Sequence, residues 1–106
     1  MLYLYEIKNL HKDLCNFDIN PHESIENLHI RSEMHEVCHL LTEQEKIELE
    51  KCDYKIIENA EALLHHLQEV YDFSNTNRPI EEWWWHLHKV SRGELTVVAK
   101  VKSFSS

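Results

Sequence analysis

Two groups of residues in this chain are of types and spacings that do chemistry. The first is His35-Glu36-Val37-Cys38-His39, a literal H-E-x-x-H. On a helix the two imidazoles sit one turn apart and can bind zinc, while the glutamate between them activates a water. Helical stepping puts His35 and His39 on a stripe with Ile25, Leu28 and Ser32, opposite Ile30, Met34, Val37 and Leu41. Two inward imidazoles suit a metal, and they equally suit a hydrogen-bonded seam between helices. The specificity of the motif is low. With nine histidines and fifteen glutamates among 106 residues, chance produces such a match roughly once in ten such sequences.

A catalytic zinc also needs a third protein ligand and an open coordination position. Glu58, Glu61 and His66 are the candidates on the following helix, with His66 at the edge of its apolar stripe and His65 pointing away. The metal reading therefore takes His35, His39 and His66 as ligands of zinc or another divalent transition metal, with Glu36 as the base. Cys15, Cys38 and Cys52 have no C-x-x-C spacing, and Cys52 and Cys38 read as inert packing. A single glycine excludes Gly-rich phosphate loops, and there is no G-x-S-x-G elbow.

The second group is Trp83-Trp84-Trp85-His86-Leu87-His88. Three consecutive residues of an α-helix span about 200° of arc, which one apolar face cannot cover. Ile80, Trp83, Trp84, Leu87 and Val90 make one face and Trp85 falls outside it. Trp85 is then covered by another element of the chain or by another chain, or it stays partly exposed. The second alternative makes Trp83, Trp84, Trp85, His88 and Arg92 a binding surface, because exposed tryptophan is costly in water and concentrated at binding hot spots.

Composition bounds both readings. The formal charge of −8 opposes a general phosphate-binding surface, so nucleic acid is an unfavoured partner. The balance is uneven: residues 70–106 carry four acids and five bases, the one neutral-to-basic region. An odd number of cysteines without framework spacing points to a reducing, cytoplasmic setting. No leader pattern and no 18-residue apolar run is present, so a membrane is not expected as a partner.

The elements that position these residues read as helices. One glycine and two prolines leave little turn punctuation, and few turns mean long elements. Tyr3, Ile7, Leu10, Leu14 and Phe17 form a first helical stripe. Asn20-Pro21 caps and opens a second helix, expected to reach Leu41. Thr42-Glu43-Gln44-Glu45 is a capping box for a third. Its stripe of Leu49, Cys52, Ile56, Ala60, Leu63, Leu67 and Val70 predicts one continuous helix over Glu43–Tyr71. Pro79 opens a fourth helix, through Ile80–Arg92, that stops at Gly93. Residues 94–102 fit either a strand or a short last helix, and Ser103–Ser106 reads as a frayed tail.

The expectation is a single all-α domain over residues 1–106, a small bundle of four to five helices with one long central helix and, as an alternative, a short β segment at the termini. The function that assumes least chemistry is a non-catalytic helical protein–protein interaction module. It binds a protein partner, or itself as a homo-oligomer, through the Trp-rich C-terminal third, and needs no cofactor. The alternative is a metal-binding bundle, a small zinc hydrolase built on His35–His39.

Overall fold

The computed structural model describes residues 2–95. Among them are five α-helices and no strand: α1 (Leu4–Asp13), α2 (Pro21–Glu36), α3 (Glu43–Glu58), α4 (Ala60–Leu67) and α5 (Leu87–Ser91). Single 3-10 turns at Cys38–Leu40, Phe73–Asn75 and Trp83–Trp85 join them. Beyond Glu94 and Leu95, the segment read as strand or short helix lies outside the described residues, as does the tail.

Local chemistry sets the helix starts where the sequence puts them. The Asn20 side chain accepts a hydrogen bond from the Glu23 backbone N–H at 3.1 Å, with Pro21 in the first turn of α2. At α3 the capping box is complete: Thr42 Oγ1 accepts from Glu45 N, and Glu45 Oε1 accepts from Thr42 N at 2.8 Å. The second oxygen of the same carboxylate accepts from Tyr3 N at 2.6 Å. One buried glutamate therefore ties the start of α1 to the start of α3. Its carboxyl is held below its ordinary value by the Thr42 backbone N–H first, and then by the Tyr3 N–H and the Thr42 hydroxyl, against the opposing effect of burial.

Helix α1 packs on α3, and α4 packs on α5. Ile7, Leu10 and Leu14 face Leu49, Cys52 and Ile56 in a core that also holds Leu28, Met34, Ala60, Leu63, Leu67, Phe73, Trp84, Trp85 and Leu87. The predicted stripe of the third helix is buried through Leu67, but the helix is not continuous to Tyr71. It breaks at Asn59, with φ −113° and ψ 20°. The Asn59 amide Nδ2 donates to the Lys55 carbonyl at 2.8 Å, competing with the backbone N–H for that acceptor, as asparagine side chains do inside helices.

The second helix also stops early. Helix α2 ends at Glu36, and Val37 (φ −105°, ψ 15°) leads into the 3-10 turn. The first stripe ends at Cys15, whose φ of 63° turns the chain out of α1, so Phe17 leaves the core face. The buried face of α2 is the least expected feature, because Ser24, Asn27, Arg31 and Ser32 lie on it beside Leu28 and Met34. Each of those polar side chains is paired. Ser24 Oγ lies 3.2 Å from His66 Nε2, and Asn27 Nδ2 donates to the Asp13 carbonyl. Arg31 makes a two-point contact with Asp53 at 2.6 and 3.0 Å. Burial raises the Asp53 carboxyl above its ordinary value, against the pull of Arg31.

Candidate functional site

The two groups singled out by chemistry meet different fates. With α2 ended at Glu36, His35 is on that helix and His39 is in the 3-10 turn, and both side chains are exposed. The expectation of two inward imidazoles one turn apart on a single helix is therefore corrected. His35 instead packs its ring edge to face on Trp84, with centroids 5.7 Å apart. Glu36 is exposed beside it. His66 lies against Ser24, eleven residues before His35 on α2, or about 16 Å along the axis. Its Nε2 also donates to the Ile19 carbonyl at 3.0 Å. The three histidines are thus not brought together, and among the described residues no three His, Cys, Asp or Glu side chains converge at metal-ligand spacing.

Of the cysteines, Cys52 is fully buried, and its burial first of all, with Asp53 beside it, pushes the thiol up to about 12. It is thiol, not thiolate, at neutral pH, and its Sγ sits against the Ile7 carbonyl. Cys38, expected in packing, is exposed.

The tryptophan run departs from the helix expected over Ile80–Arg92. Trp83–Trp85 forms a 3-10 turn, His86 (φ −121°, ψ 40°) breaks the chain, and α5 starts only at Leu87. The break lets Trp84, Trp85 and Leu87 all turn inward, where they are 1%, 0% and 0% exposed. Burying two indoles removes on the order of 150–250 Å² each from water, which outweighs a few helical hydrogen bonds. Trp85 is covered by elements of its own chain: the rings of Tyr71 and His29 lie at 4.9 and 4.8 Å, and the Arg78 guanidinium at 4.8 Å. Arg31 stacks on Trp84 at 4.1 Å. Trp84 and Trp85 are core, not surface, and Trp83 is half-buried with its ring edge to face on Trp84.

Both indoles converge on one hydroxyl. Ser32 Oγ accepts from Trp84 Nε1 at 2.9 Å and from Trp85 Nε1 at 2.8 Å, and it donates to Glu82 Oε1 at 2.7 Å. Two lone pairs and one proton are all a serine hydroxyl has, so its capacity is fully used. Arg78 Nη1 lies 3.7 Å from the same Glu82 oxygen.

This scaffold fixes α5 against α4, and the exposed side of α4 carries surface relief. Glu61, His65 and Gln68 form its exposed stripe at steps of four and three. An open cleft lies on each flank of that ridge. One, of about 360 Å³, is lined by Leu64, Gln68, Tyr71, Phe73, His88 and Arg92 among others. The other, of about 680 Å³, is lined by Phe17, Glu58, Asn59, Glu61, Ala62, His65 and His66.

His88 and Arg92, two of the five residues expected to bind, are therefore at a surface cleft. Burial, with Arg92 and Lys89 nearby, keeps the His88 imidazole below its ordinary value. Phe17, Ala62 and the α4 ridge were not singled out as contacts from sequence. The detectable trace was the glutamate and histidine spacing along α4, read there as metal ligation. No known protein family, curated protein or solved structure matches this chain. No helix among the described residues is long and apolar enough to cross a membrane.

Proposed function

We propose that the protein is a non-catalytic helical interaction module that binds a protein partner through the exposed ridge of α4 and the clefts on its two sides. The observation that carries this reading is the relief itself: one exposed helical stripe, Glu61-His65-Gln68, with a concave surface on either flank. A partner segment crossing the ridge seats side chains in both clefts, the arrangement by which short segments gain affinity from a few anchored residues. The C-terminal third contributes His88 and Arg92 to one cleft, while its tryptophans act from inside by holding α5 in place. A second copy is the less favoured occupant, because a self-complementary contact would bring two chains of charge −8 together.

The test is selection of linear peptides from a displayed random library on the immobilised protein, followed by mapping of the selected peptides by amide shifts. The reading expects the footprint to centre on Glu61, His65 and Gln68 and to extend to both flanks. A library that yields no binder, or binders that shift only residues remote from α4, would overturn it.

A further inference from the structure

We infer that the cleft on the Phe17 side of α4 is a receptor for a cationic side chain, best an arginine guanidinium, presented by the partner; this rests on α4 being the contact surface. Phe17, Glu58 and Glu61 are the residues that specify it.

Among the described residues the carboxylates are the only permanently charged groups lining the cleft, beside the imidazoles of His65 and His66. Glu58, at the end of α3, and Glu61, in the first turn of α4, both line it, and both are exposed. Neither is among the five ion pairs formed within the described residues. Among the described residues no lysine or arginine lines the cleft. Lys55, three residues before Glu58, has its Nζ committed to the His11 carbonyl at 2.6 Å. Asn59 has committed its Nδ2 to the Lys55 carbonyl, which leaves its side-chain oxygen as a further acceptor.

The second component is aromatic. Phe17 stands 41% exposed at the cleft, held edge to face by His66 at 5.3 Å and 69°. His66 is itself fixed by the Ile19 carbonyl and Ser24, so the Phe17 ring is backed by an anchored group. Cations bind aromatic faces, and arginine adds planar, two-pronged hydrogen bonding to carboxylates. Ala62 contributes only a methyl group to the lining, which keeps the space between ring and carboxylates open. A volume of about 680 Å³ admits a long basic side chain together with the backbone that carries it. At physiological salt the field of the cleft reaches only about 8 Å, so these local carboxylates, rather than the distant acids, select the ligand.

The experiment titrates the isotope-labelled full chain with N-acetyl-arginine methylamide and, in parallel, with its uncharged isostere N-acetyl-citrulline methylamide. The arginine probe is expected to give saturable shifts confined to Phe17, Asn59 and Ala62, weakened about tenfold or more in the Glu58→Gln/Glu61→Gln variant and by a similar factor in Phe17→Ala. These positions are exposed, and amide spectra report whether each variant keeps its fold. Equal shifts from the citrulline probe, no saturable shift, unchanged binding to the double variant, or shifts with zinc or magnesium ions but not with arginine would each overturn the inference. Peptides that footprint the α4 ridge without enrichment in arginine or lysine would sink this inference and leave the interaction reading standing. An arginine probe that binds while no peptide maps to the ridge would overturn the interaction reading, and with it the partner, and leave only the cleft's preference for a guanidinium.

Discussion

Replacing Ser32 with alanine removes one oxygen and strands two buried donors. In the native protein that oxygen accepts from both Trp84 Nε1 and Trp85 Nε1, and those rings are 1% and 0% exposed, so water cannot replace the lost acceptor without opening the core. A buried donor left without a partner costs about 1–3 kcal/mol, which places the sum for two indoles at about 2–6 kcal/mol. Glu82 adds little, because its carboxylate keeps Arg78 within 3.7 Å. Alanine is the better helix former by roughly 0.5 kcal/mol, a small offset. The expected net loss is therefore about 3 kcal/mol, which displaces a urea midpoint by about 2 M at an m-value near 1.5 kcal/mol/M. Ser32→Thr, which keeps the hydroxyl, should lose less than half as much. The assay is urea unfolding followed by circular dichroism for wild type and both variants. A loss below about 0.5 kcal/mol for Ser32→Ala would refute the reasoning, since unpaired indoles in a closed core cannot be that cheap.

Two further outcomes follow from the same packing. Trp85→Ala should cost stability, about 3–5 kcal/mol as for other large-to-small core changes, with no dependence of the loss on protein concentration; a variant of near-native stability whose mass in solution falls would instead place Trp85 in an intermolecular contact. The carboxyl of Glu45 is held below its ordinary value of 4.5 by the N–H groups of Thr42 and Tyr3, so its ionised form favours the fold. That contribution is complete above pH 4.5 and is lost as pH falls through the lower folded value. Between pH 6 and pH 3 the wild type should therefore lose more stability than Glu45→Gln, and equal losses by urea unfolding would contradict the clasp.

Much of this architecture was legible because local chemistry and apolar spacing agree there. Asn20, Thr42 and Glu45 start α2 and α3 where capping rules put them, and Leu49, Cys52, Ile56, Leu63 and Leu67 are core as their spacing requires. What escaped sequence reading was decided by side chains acting at a distance. Asn59 breaks the third helix by hydrogen bonding back to Lys55, a competition that a hydrophobic pattern does not register. The buried face of α2 was legible only in part: the stripe that joins Leu28 to Ser32 is buried, but no local pattern shows that Ser24 and Arg31 lie on that face too, where His66 and Asp53 pair them. The same blindness concerned Trp85, since nothing local announces that Tyr71, His29 and Arg78 will cover it. The α4 ridge was half legible: Glu58, Glu61 and His66 were noticed, but Phe17 left its stripe only because of the left-handed turn at Cys15.

The polar lining of α2 also governs how the chain reaches its native state. Ser32 is separated from its partners Glu82, Trp84 and Trp85 by 50, 52 and 53 positions, and Arg31 from Asp53 by 22. Until the distal segment docks, α2 gains little by burying this side, because doing so would strip water from groups that have nothing to bond to. Closure of the Ser32 side of α2 therefore waits on a contact spanning half the polypeptide. Such long-range closure should slow folding relative to helical proteins stitched together locally.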